Sequence, residues 1–373
     1  MVVVGGGIAG STCAFFLGRA GIATTVVERA TGMRSSGSPV DVRGPALQVA
    51  AQMDVLDRLR AGATQVTRLA AVDAQGREIG WIPTQTRRDA VEVSRGELAA
   101  TLAAAAGQHA ELVYDDTVTS VHQDRDGVDV TFERAAPGRF DLLVGADGLH
   151  STVRRLVFGP EDRFGRHLGL YFSTVALNRP SADPRTVLIH NAPGRAVVVH
   201  PTTGSEGAGF MFRHPELTPD EHHDVSRQKH LVASTYAGIG WRVPELLDRL
   251  LAASEIYFDS VTRIELDRWS RGRVVLVGDA ASCVSLFGEG SSMAIAGGAT
   301  LAQQLAALPT AEAALHAYEQ IQRRRLRPHL RGAALASHLL VPTTRAGLAA
   351  RNAAFRTYAT GAAFRRRTSQ HTR

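Results

Sequence analysis

The chain has 373 residues, 44% of them hydrophobic, which is enough to bury a large core, and a length of this order suggests two packed domains. The formal charge is +6, but Lys229 is the only lysine, and no nucleic-acid motif accompanies the arginine-rich excess, so nucleic acid is not an expected partner. No stretch approaches the ~20 apolar residues of a membrane span, Met1 leads straight into a strand, and Cys13 and Cys283 lack disulfide or metal-ligand spacing; the expectation is a cytoplasmic protein with no membrane partner and no metal.

The first 28 residues predict a βαβ unit: a strand over 1–4, a glycine turn over 5–10, a helix to about 20 and a strand over 24–28. Pro45 opens a helix in which Leu47, Ala51, Val55 and Leu59 recur at helical spacing. Residues 69–82 predict a hairpin turning at Gln75 and Gly76. Ser94, Arg95, Gly96 and Glu97 form a capping-box sequence, so a helix is expected over 95–106. Short strands follow at 111–114, 117–122, 128–132 and 140–144.

From about 160 to 267 the pattern changes to β-rich alternation, with helices near 226–237 and 243–252. A buried strand at 274–277 then leads through a glycine turn to two long helices near 289–307 and 310–340, and the polar tail over 365–373 is expected to be disordered. The texture contains neither repeats nor a low-complexity linker, so the domains are expected to interleave.

Gly5, Gly7 and Gly10 form a GxGxxG turn between strand and helix, where backbone can approach a pyrophosphate at the positive end of the helix. Glu28, at the end of the next strand, can accept both ribose hydroxyls. This pattern points to an adenine dinucleotide without separating FAD from NAD. Two later runs, 141–148 and 273–281, each place an aspartate, Asp147 and Asp279, just beyond a buried apolar strand, where ligands of open α/β sheets bind.

With these motifs in this order, the chain resembles the flavoprotein aromatic hydroxylases, or group A flavoprotein monooxygenases, typified by para-hydroxybenzoate hydroxylase and the tetracycline-inactivating monooxygenases. The resemblance covers the glycine turn, the Ser94-Arg95 helix start, the Asp147-Gly148 motif and the Gly278-Asp279 motif. It implies an α/β fold in which a Rossmann-like FAD-binding domain (1–65, 90–160, 268–373) interleaves with a smaller β-sheet substrate domain (66–89, 161–267) and ends in long C-terminal helices. It implies bound FAD along Gly5, Gly7, Ile8, Ala9, Gly10, Glu28 and Arg29, with Arg95 near its ribityl and phosphate groups and Asp279 on the ribityl chain. Asp147, with Gly148, would serve both flavin and a transient NADPH or NADH.

The helix start at Gly288, Gly290, Ser291 and Ser292 would present free N–H groups to the flavin pyrimidine edge, where reduction gathers negative charge. Arg43 is the candidate to contact flavin or orient substrate, with a solvated surface arginine as the other reading. Phe172, His200, Phe210 and Phe212 are the candidate substrate contacts, although only every second side chain of a strand can face one side. Ser282 and the run Ser285-Leu286-Phe287 depart from the family pattern, and the loop from Asp279 to Gly288 is one residue short.

The implied reaction uses NAD(P)H and O2 to hydroxylate a small aromatic or polyketide-like molecule, of the kind found in secondary metabolism, through a flavin C4a-hydroperoxide. Baeyer–Villiger oxidation, epoxidation, or ligand binding without turnover are the alternatives. A flavin-dependent halogenase would need a catalytic lysine, and Lys229 lies in the expected second domain. The assembly expected is a monomer or homodimer.

Overall fold

The computed structural model describes residues 1–32, 38–84, 90–218, 221–222, 224–283 and 289–370. Two sheets organise it. A six-stranded sheet has the order Ser270–Arg271, Val274–Leu276, Leu143–Gly145, Val2–Val4, Thr25–Glu28, Glu111–Tyr114, and only its Ser270–Arg271 edge runs antiparallel. Its central strands are almost continuously apolar and buried (Val2, Val3, Val4, Leu143, Val144, Val274, Val275), as expected of a parallel sheet covered on both faces.

The glycine turn works by close approach at two positions. Gly5 has φ +103°, and a Cβ there would meet the Ala146 carbonyl oxygen at 2.5 Å; a Cβ at Gly10 would meet the Gly5 oxygen at 1.9 Å. The helix Ile8–Arg19 can therefore start immediately above the first strand, with Gly7 as its N-cap and no side chain closing that end. Helix Glu289–Ala307 packs across it so tightly that a Cβ on Gly298 would meet the Ala9 oxygen at 2.5 Å.

The second sheet has seven strands, ordered Tyr257–Ile264, Gly165–Ala176, Ser205–Arg213, Arg195–Thr202, Thr186–Ala192, Arg68–Val72, Glu78–Pro83. The hairpin read from the sequence forms its far edge, turning at Gly76 (φ +81°) and pairing in parallel with Thr186–Ala192. One face carries Tyr171, Val197, Phe210 and Phe212 against helices Val225–Tyr236 and Val243–Ala252. Leu170, Ile189 and Ala196 lie on the other side with Val341 and Phe355 from the C-terminal region.

Two expectations differ from the structure. The helix beginning at Pro45 is broken into Pro45–Gln52 and Leu56–Ala61, because Asp54 takes a left-handed conformation (φ +56°) that redirects the chain. The polar tail is helical through Gln370: Arg345–Gln370 is a third long C-terminal helix, seated on the hairpin edge, with Trp81 and Tyr358 in edge contact at 5.8 Å.

Candidate cofactor and substrate cleft

Between the C-terminal ends of the parallel strands and one face of the seven-stranded sheet lies a cleft of about 610 Å³. One wall consists of Gly5, Gly7, Ile8, Ala9, Glu28, Arg29, Arg95, Asp147, Gly148, Asp279, Gly290 and Ser291, and the facing wall includes Phe172, Met211, Tyr257 and Leu340. Such a volume suits a cofactor with a small organic molecule beside it.

At one end, Gly7 opens the helix Ile8–Arg19, and a Cβ there would meet nothing within 4 Å. The space lies at the positive end of a helix, where a phosphate is favoured. Glu28 borders it, with Oε2 accepting from Gly6 N (2.8 Å) and Oε1 from Ala30 N (2.9 Å). Each carboxylate oxygen keeps a second lone pair for a ribose hydroxyl. Arg95 follows Ser94, whose Oγ accepts from Glu97 N at 3.1 Å and caps the helix Arg95–Ala106. Its charge reaches Asp279, whose carboxyl burial nevertheless raises above the usual range, with Asp259 adding to the effect.

Asp147 behaves differently. Its Oδ2 accepts from Val153 N at 3.0 Å and its Oδ1 from the Ser151 hydroxyl, so the carboxylate faces the helix Thr152–Val157 while Asp147 still lines the cleft. Burial raises its pKa against these hydrogen bonds. Arg154 is fully buried behind it, donating to Ala280 O (3.1 Å), to Leu149 O and to Glu161 Oε2 (2.6 Å). It joins the two aspartate turns, and sequence reading missed it; the Arg154-Arg155 pair in the otherwise apolar helix after the Asp147 motif was the available signal, without saying which of the two turns inward.

The substrate assignments need correction. Phe210 and Phe212 are fully buried on the far face of the sheet, Phe210 in edge contact with Tyr236 and Phe212 against Tyr171 and Phe258. Strand alternation leaves Met211 to enter the cleft, where it pairs in register with Phe172. His200 is absent from the cleft lining; its Nε2 lies 3.5 Å from Glu92.

Arg43 is likewise outside the lining. Its backbone N donates to Ser292 Oγ at 3.0 Å, and that hydroxyl donates to Asp41 O at 2.9 Å, so Ser292 ties helix Glu289–Ala307 to the strand Pro39–Arg43 instead of facing the cleft. Gly10 serves the helix–strand contact described above. Gly288 and the run Ser285-Leu286-Phe287 lie outside the described residues. Lys229 donates from Nζ to Leu251 O (3.2 Å) and to Ala253 O, at the end of helix Val243–Ala252.

A parallel sheet with a glycine-turn helix, and an acidic turn at the end of each of two neighbouring strands, define a dinucleotide-binding protein of the flavoenzyme type. The FAD binding domain model matches residues 1–332, and the chain belongs to this family of FAD-dependent monooxygenases. A flavin-dependent monooxygenase of Legionella longbeachae is 31% identical over 82% of this chain and 80% of its own length. An uncharacterised protein of Mycobacterium tuberculosis is 38% identical over 82% and 85%. Among solved structures, the tetracycline destructase Tet(51) superposes with a TM-score of 0.82 at 29% identity, covering 95% of this chain and 94% of that one. No helix among the described residues is long and apolar enough to cross a membrane.

Proposed function

We propose that the cleft holds FAD in extended form and that the protein uses NADPH or NADH with O2 to hydroxylate a small polycyclic or aromatic molecule. The observation that carries this reading is the composition of one cleft: a helix-N-terminal glycine turn and Asp279 on one side, Phe172, Met211, Tyr257 and Leu340 on the other. The likeness to a tetracycline destructase favours a fused-ring, polyketide-like substrate.

FAD supplies the redox chemistry: NAD(P)H and a proton provide the reducing equivalents, one atom of O2 enters the substrate and the other leaves as water. The protein's part is to place and shelter the reaction. Gly7 and the helix behind it take the pyrophosphate, Glu28 the ribose, and Arg95 with Asp279 the ribityl and phosphate region. Gly290 and Ser291 open the helix Glu289–Ala307 toward the cleft, so its positive end favours negative charge on the ring. Phe172 and Met211 give an apolar surface for substrate and exclude water. The division of labour runs by segment: residues 1–65, 90–160 and 268–373 serve the cofactor and 66–89 with 161–267 form the substrate side, to which the C-terminal segment adds Leu340 and the helix Arg345–Gln370.

The test is to purify the protein, record its flavin spectrum, and screen aromatic polycycles for faster NAD(P)H oxidation under 18O2. A product carrying one 18O atom supports the reading. NAD(P)H oxidation that yields only hydrogen peroxide with every candidate, or a protein that takes up no FAD, would count against it.

A further inference from the structure

At the mouth of the cleft three side chains from separate stretches converge. His150 follows the Asp147-Gly148 turn, Asp259 lies on the strand Tyr257–Ile264, and His222 precedes the helix Val225–Tyr236. His150 Nε2 is 3.2 Å and His222 Nε2 3.4 Å from the same oxygen, Asp259 Oδ1. All three donor atoms lie within 4.8 Å of one another, the one such group among the described residues. Metal bonds of about 2.0–2.1 Å to imidazole nitrogen and carboxylate oxygen, arranged tetrahedrally, set neighbouring donors roughly 3.4 Å apart. Both histidine–aspartate spacings fit.

The surroundings also suit a metal. His150 Nδ1 lies 2.9 Å from Glu161 Oε1, which fixes the ring so that Nε2 is the nitrogen offered to the cluster. A carboxylate behind a ligating imidazole is the usual outer partner of a metal-bound histidine. His150 is 48% exposed and His222 and Asp259 are 17% and 16%, so water can reach a fourth position. Two carboxylates, Asp259 and Glu161, surround the point where positive charge would sit.

We propose that His150, His222 and Asp259 form a binding site for a transition-metal dication of the Zn2+ type, with Glu161 as the outer partner of His150. Two imidazoles and one carboxylate select such an ion over Ca2+ or Mg2+, which take oxygen ligands. The bound ion cross-links the Asp147-Gly148 turn to the edge of the seven-stranded sheet and so pins the cleft mouth. Sequence spacing conceals the site, because its ligands come from three distant segments. The proposal does not rest on the flavin reading: metal uptake can succeed or fail whatever the enzyme oxidises.

The experiment is calorimetric titration of chelator-treated, flavin-replete protein with Zn2+, repeated with Co2+ to record its visible ligand-field bands. Wild type should take up Zn2+ saturably at about one per chain, as a three-ligand site with one open position does. Asp259→Asn, which keeps the side chain's shape, and His222→Ala should each abolish that uptake and the cobalt bands. Glu161→Gln should weaken binding about 10- to 100-fold, the usual effect of a lost outer partner. His122→Ala, on an exposed strand position, should bind like wild type. Absence of saturable uptake by wild type, or Asp259→Asn and His222→Ala proteins that bind as wild type does, overturns the site.

Discussion

Asp147 and Asp279 occupy equivalent positions in the sequence, each past a buried strand, yet the structure gives them different work. The Asp147 carboxylate is engaged by Ser151 and Val153, so its first role is to hold the following helix. Asp279 has no hydrogen bond among the described residues and lines the cleft within reach of the Arg95 charge. Asp279→Ala should therefore weaken FAD binding about ten- to hundred-fold, one or two charge-assisted bonds at ~1.5 kcal/mol or more each, as measured by flavin fluorescence on dilution. The same carboxyl is raised by burial, so in FAD-free protein its stabilising contribution is full below the unfolded pKa and is lost as pH rises through the folded one. FAD-free Asp279→Asn should melt at a higher temperature than FAD-free wild type at pH 7, and the gap should close on acidification; a lower melting temperature at pH 7 would contradict this. Glu28 accepts from Gly6 N and Ala30 N, so Glu28→Arg removes a support of the turn as well as a ribose acceptor. That variant should purify largely without flavin, and equal FAD retention would remove Glu28 from the site.

Elements built on a strong period were legible: the opening βαβ unit, the hairpin, the Ser94-capped helix and the Val274–Leu276 strand lie where the pattern placed them. Facing was less legible. Phe210 and Phe212 are more aromatic than Met211, but alternation fixes only that two of the three share a side, and the helices packed against the sheet decide which. The cross-link by Arg154 was hidden for a related reason: Leu149 and Glu161 lie close to it in sequence, but Ala280 reaches it only once the two motif turns are side by side. Its guanidinium is fully buried, and removing it leaves Glu161 and two carbonyl oxygens short of a donor. Arg154→Ala should cost about 1–3 kcal/mol, the usual effect of leaving buried acceptors without a donor, because Glu161 is 36% exposed and keeps His150 as a partner. Urea denaturation gives the magnitude. A loss below about 1 kcal/mol, the scale of an exposed pair, would mean the link is dispensable.

On the scale of the whole molecule, the two sheets are held together by more than the cleft. The C-terminal helix Arg345–Gln370 escaped the sequence reading because its alanines and arginines make no clear apolar stripe, yet it is locked to the seven-stranded sheet. Arg351 Nη1 donates to Asn191 Oδ1 at 2.7 Å, and Asn191 Nδ2 donates to Leu340 O at 2.8 Å, which joins the helix, the sheet and the residue that enters the cleft. The contact is closest at Gly80, where a Cβ would lie 2.7 Å from the Phe355 carbonyl carbon and 2.8 Å from Arg356 N. Backbone cannot yield there as a flexible side chain could, so Gly80→Val must push the helix off the hairpin. Overpacking of this kind costs about 1–3 kcal/mol. The glycine turn, Glu28 and Asp279 sit in the other sheet, so FAD affinity should stay near that of wild type while the urea midpoint falls. Displacing the helix also moves Leu340, so the KM for an identified substrate should rise with the loss of stability. A Gly80→Val protein with wild-type urea midpoint and KM would show that the helix is not seated on the hairpin as described.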